Sequence, residues 1–145
     1  MKLTIIPSVA LICRAAAECS KTFLVDATKK YIAAQSEGKP ELLTAIAAES
    51  LNYTESEKPV DIAKGVLTQP LKIDRNLSIH DTTLCATFTE LIVTDSANPY
   101  VIGTRMVFED NKAALIETLA TKPGDWLFNA TGYLHWYVTF SQPTP

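Results

Sequence analysis

The stretch Leu84-Cys85-Ala86-Thr87-Phe88-Thr89-Glu90-Leu91-Ile92-Val93-Thr94 and, beyond a turn signal, Tyr100-Val101-Ile102-Gly103-Thr104-Arg105-Met106-Val107-Phe108-Glu109 decide the fold. Both alternate with the period of two that a half-buried strand requires. In the first, Ala86, Phe88, Glu90 and Ile92 share one face, and Cys85, Thr87, Thr89, Leu91 and Val93 share the other. In the second, Tyr100, Ile102, Thr104, Met106 and Phe108 oppose Val101, Gly103, Arg105 and Val107. Glu90 and Arg105 each fall among apolar neighbours, which singles them out from the other charged residues.

Working outward, two further strands are expected at 71–80 and 113–121, with turns at Asp81-Thr82, at 96–99 and at Asp110-Asn111. Such short connections favour antiparallel hairpins, whereas parallel pairing would need crossover helices that the sequence lacks. Upstream the period is helical. Phe23, Ala27, Tyr31 and Ala34, widened by Leu24 and Ile32, predict a helix over 19–35 that Gly38 and Pro40 stop. Pro40 opens a second helix, buried through Leu42, Leu43, Ile46 and Ala47 and ending near residue 49. A short strand follows at 51–54, then one helical turn at 62–67 before Pro70. Downstream, residues 124–137 are dense in aromatics. Asp125 is expected to cap a short helix that packs Trp126 and Phe128 over the sheet, with Gly132 ending it. Helices followed by a run of strands make an α+β domain.

The first residues speak to compartment. Lys2, an apolar run from Leu3 to Ile12 and Ala15-Ala16-Ala17 predict a signal peptide over 1–17, a single domain over 18–140 and a disordered tail over 141–145. Three acceptor sequons, at Asn52, Asn76 and Asn129, are glycosylation candidates in a secretory lumen. Loss of Lys2 and Arg14 with the leader takes the formal charge from −3 to −5, which disfavours nucleic acid and anionic lipid as partners. After the leader no apolar run is long enough to span a membrane. Cys13 departs with the leader, leaving Cys19 and Cys85. A disulfide between them, worth about 3 to 4 kcal/mol, is the simplest outcome; two free thiols or an intermolecular bridge are the alternatives. Two cysteines and two distant histidines, His80 and His135, lack metal-ligand spacing, so no metal is expected.

The element order resembles the cone-shaped α+β fold of ketosteroid isomerase, nuclear transport factor two and the SnoaL-type polyketide cyclases. The stretch Ser78-Ile79-His80-Asp81-Thr82-Thr83-Leu84-Cys85-Ala86-Thr87-Phe88-Thr89-Glu90-Leu91, together with 124–133, resembles a secreted fungal family of uncharacterised proteins. The resemblance implies N-terminal helices packed on a curved antiparallel sheet (SnoaL-like, cystatin-like); folds of this shape often form homodimers through the exposed sheet face, and the oligomeric state stays open. It implies no activity. Members often continue past the aromatic segment, so a single-module form and a missing second half both stay open.

A cone of this kind leaves a cavity. Acid/base chemistry in it would use Glu90, His80 and Asp81 as catalytic candidates, with Tyr53 and Arg105 as partners. Trp126, Tyr133 and Trp136 are binding candidates through stacking. Each has a plainer alternative: a cross-strand Glu90–Arg105 ion pair at the surface, a hairpin role for His80 and Asp81, and core packing for the aromatics. There is no glycine-rich phosphate loop and no Gly-x-Ser-x-Gly elbow, so no cofactor is expected. A secreted module binding a small apolar molecule is the leading expectation. A cofactor-independent isomerase or cyclase acting on a polyketide or terpenoid is the alternative.

Overall fold

The structure is a computed structural model that describes residues 19–140; the expected leader over 1–17 and tail over 141–145 lie outside the described residues. One helix, α1 (Lys21–Glu37), lies in the concavity of a curved sheet with strand order β2-β1-β6-β5-β4-β3. The strands are β1 (Ala47–Glu55), β2 (Lys58–Pro59), β3 (Arg75–Asp81), β4 (Ala86–Val93), β5 (Tyr100–Glu109) and β6 (Lys112–Thr121). A second helix, α2 (Ala130–Phe140), packs on the outer face against β4.

The helix α1 forms where the stripe predicted it, two residues later at each end. Ser20 caps it by accepting from Phe23 N at 3.1 Å, and Gly38, in the left-handed region at φ 65°, closes it. A side chain at Gly38 would also collide with Pro70. Leu24, Ala27, Tyr31 and Ala34 are buried against Leu91, Val93, Ile102, Met106 and Ile116. Phe23 meets Phe108 edge-on at 5.0 Å. Cys19 and Cys85 form a disulfide with Cα atoms 5.5 Å apart, tying the approach to α1 to the turn before β4.

The expected second helix is reduced to one 3-10 turn, Pro40–Leu43. From Ala47 the chain is instead a strand, and Ile46 O already accepts from Ala113 N at 2.6 Å. The free edge of β6 pairs with Ala47 and, past an irregularity, with Asn52 to Glu55, and that ladder overrides the local helical period. A second correction follows from it: β1 pairs with β6 in parallel. The connection it needs is supplied by the hairpins of β2 through β5 rather than by crossover helices. The other pairings are antiparallel. The predicted turn at Asp110-Asn111 closes β5 onto β6 with φ 49° and 60°, both positive, as a tight hairpin turn requires.

The helical turn expected at 62–67 is a 3-10 turn at Val66–Thr68. The C-terminal helix also differs from expectation. It begins at Ala130, with Asn129 Oδ1 accepting from Gly132 N at 2.8 Å, so Gly132 lies in its first turn and does not end it. Asp125 accepts instead from Lys122 N at 2.8 Å, in the turn leaving β6. Trp126, expected over the sheet, is 90% exposed.

Candidate functional site

The concave face carries a line of hydroxyls. Tyr31 on α1, 0% exposed, hydrogen-bonds Thr104 Oγ1 at 2.6 Å, and Thr104 bonds Thr118 at 3.0 Å. Thr118 adjoins Tyr53, whose hydroxyl donates to Glu55 Oε1 at 2.5 Å. Because side chains alternate along β1, Tyr53 and Glu55 share the inner face, opposite Ile116 and Thr118 of β6. Glu55 Oε1 also accepts from Val66 N at 2.5 Å, which leaves Oε2 without a protein donor among the described residues.

Local sequence explains the close approach. A Cβ at position 65 would fall onto the Glu55 carboxylate, so only Gly65 lets the 3-10 segment come this near. That segment is fixed from below by Gln35 Nε2, which donates to Val66 O at 2.9 Å and to Gln69 O at 3.1 Å. Tyr100 OH in turn donates to Gln69 Oε1 at 3.1 Å. The result is a cleft of 310 Å³ at the open rim of the cone, lined among others by Glu55, Lys64, Gly65, Gln69, Tyr100 and Lys122. Burial, chiefly, and then the bond to Glu55 push the Tyr53 hydroxyl well above its ordinary range, so it stays a donor past the pH at which an ordinary tyrosine ionises. Burial likewise raises Tyr31, against an opposing bond from Thr104.

The residues singled out from sequence do not assemble here, apart from Tyr53. Glu90 lies on the outer face, where its Oε2 accepts from Tyr133 OH at 2.9 Å and has a longer 3.5 Å contact with Tyr137 OH. The Arg75 guanidinium stacks 4.5 Å above the Tyr137 ring. The bond with Tyr137, then burial and Glu90, raises the Tyr133 hydroxyl above its ordinary range. No Glu90–Arg105 pair forms. Strand register sets Glu90 opposite Gly103, while Arg105 stands opposite Glu117 and bonds it at 2.8 Å.

His80 and Asp81 are separate from Glu90. His80 points inward, with Nε2 3.2 Å from Thr28 Oγ1, whereas Asp81 accepts from Thr83 N at 2.8 Å and Leu84 N at 3.0 Å within the turn. Trp126, Trp136 and Tyr133 are exposed, and none of them lines the cleft that Glu55 lines. Asn52, Asn76 and Asn129 are all exposed. A strand expected to end at Thr54 leaves out Glu55, the next residue of β1. The spacing Tyr53-x-Glu55 was the available signal, since two polar groups two apart on a strand share a face.

This architecture has counterparts among solved structures. A nuclear transport factor two-like protein of unknown function from Burkholderia xenovorans is 14% identical over 86% of this chain and 98% of its own, with a TM-score of 0.53. The fold is of the nuclear transport factor two-like type. Another such protein from Burkholderia xenovorans is 14% identical over 71% of this chain and 92% of its own, with a TM-score of 0.48. An LEH-like epoxide hydrolase from M. tuberculosis is 15% identical over 69% of this chain and 84% of its own, with a TM-score of 0.46. No protein-family model and no curated protein sequence matches the chain. Among the described residues, no helix is long and apolar enough to cross a membrane, and no cluster of three metal-ligating side chains occurs.

Proposed function

We propose that the protein is a secreted small-molecule-binding module whose ligand seats in the rim cleft beside Glu55. The observation that carries this is a carboxylate anchored through one oxygen by Tyr53 OH and Val66 N, at the wall of a 310 Å³ cleft. Anchoring fixes the direction of the other oxygen in advance, which lowers the ordering cost of binding. An apolar molecule was the expected ligand. The centre of the cone, however, is occupied by Tyr31 and its apolar neighbours, and the rim presents Glu55, Lys122 and Tyr100. The ligand class supported is therefore a small polar molecule, carrying a hydroxyl or amine for Glu55 and an acceptor for lysine.

The same geometry favours one second reading, proton transfer within an isomerase or cyclase, with Glu55 rather than Glu90 as the base. A fragment screen followed by amide chemical shifts separates these outcomes. Hits should shift Gly65, Val66 and Ala120, and Gly65→Val, which displaces Glu55, should weaken them at least tenfold. Hits confined to the outer face, or unaffected by Gly65→Val, would overturn the proposal. Turnover of a bound hit that Glu55→Gln abolishes while binding persists would select the catalytic reading.

A further inference from the structure

The segment before α2 is unusual in what it leaves bare. Trp126 is 90% exposed and Leu127 is 79% exposed, and Leu127 is held at φ 55°, a conformation that a branched side chain adopts only at a cost. Together with Val101, Phe128, Asn129 and Tyr133 they line a groove of 180 Å³. Asn129 is both the cap of α2 and the acceptor of the sequon Asn129-Ala130-Thr131. The two roles use different atoms. The cap uses Oδ1, while a glycan would be joined through Nδ2, and Gly132 leaves Nδ2 space that any side chain at that position would take.

We propose that Asn129 carries an N-linked glycan whose first sugar lies in this groove, with its apolar ring face against Trp126. The Nδ2–C1 bond to the anomeric carbon of N-acetylglucosamine forms as the C1–O bond to a lipid-linked diphosphate donor breaks, the lipid diphosphate leaving and one amide proton passing to the transferase base. A sugar there covers aromatic and aliphatic surface that is otherwise left in water, and the tether at Asn129 holds it at high effective concentration. Asn52 and Asn76 are exposed too, but both lie on strands, and neither lines the groove that holds Trp126. The proposal rests on entry into the secretory lumen.

The test is production of the full chain in a secreting eukaryotic host, followed by amidase deglycosylation in heavy-oxygen water and peptide mass mapping. Asn129 should convert to labelled Asp, and Thr131→Ala should lose that label while keeping the cap, whereas Thr131→Ser should retain it. In a Trp136→Phe background, acrylamide quenching of Trp126 should be about twofold weaker with the glycan than after its removal. An unmodified Asn129 in secreted protein, or equal quenching in the two forms, would overturn the proposal. If the chain is not secreted, a variant carrying the host's own leader in place of residues 1–17 is put through the same measurement, so that failure of secretion and failure at Asn129 are told apart.

Discussion

Glu55 and Glu90 are both half-buried on one sheet and both accept a tyrosine hydroxyl, yet they lie on opposite faces and are held by different means. Glu55 is held by its own strand and by a backbone N–H of the segment beneath it, so its position follows from local geometry once Gly65 admits the approach. Glu90 is held by Tyr133, 43 residues away, and therefore depends on α2 staying docked. The first arrangement leaves an oxygen at the wall of a cleft. The second uses its carboxylate to secure a helix. A carboxylate on a half-buried strand thus meets either a cleft or a helix, and the face it occupies decides which.

The strongest way to break the comparison is to empty the inner face. Tyr31→Ala removes a side chain with 0% exposure together with its bond to Thr104, and should cost about 3–5 kcal/mol in denaturant unfolding. Phe88→Ala on the outer face, where the residue is 45% exposed, should cost only about 1–2 kcal/mol. Equal losses would mean that the two faces are not energetically distinct.

Alkaline titration sharpens the contrast next. The hydroxyls of Tyr31 and Tyr53 are raised in the folded state above their ordinary value of 10.0, so below that pH both states hold the proton and the stabilisation is complete. As pH rises past about 10, the unfolded chain releases protons that the folded chain keeps, and stability falls. Unfolding midpoints measured from pH 8 to pH 11 should decline at the alkaline end, and Tyr31→Phe should flatten the decline. A decline unchanged in Tyr31→Phe would place the sensitivity elsewhere.

The smallest effect is expected at the fastener. Tyr133→Phe removes the 2.9 Å bond to Glu90 and should cost about 0.5–1 kcal/mol globally, because Tyr133 is 40% exposed. Hydrogen exchange should rise in 130–140 and leave β5 unchanged. Faster exchange across β5 would show that α2 supports the whole sheet and is not a local attachment.

Much of the architecture was legible because it rests on short-range periods. The strand at 100–109, the α1 stripe and the Asp110-Asn111 turn are local patterns and appear as expected. The strand at 47–55 was legible only over 51–54; its first residues read as helical. Its partner is the edge of β6, some sixty residues away, and only that partner makes extension preferable to a helical turn. For the same reason Arg105 was given the wrong partner: alternation assigns it a face, but register selects Glu117 over Glu90.

By itself, then, the sequence determined the elements and their two-sidedness, since alternation and helical spacing are properties of neighbouring residues. It also supplied two cysteines that the fold joins. Only the tertiary structure decided which side of each strand is concave, that β1 runs parallel to β6, and that Glu55 rather than Glu90 meets the rim cleft. Those outcomes depend on the direction in which the sheet curves around α1 and on the register between strands far apart in the chain, and neither is encoded in any one segment.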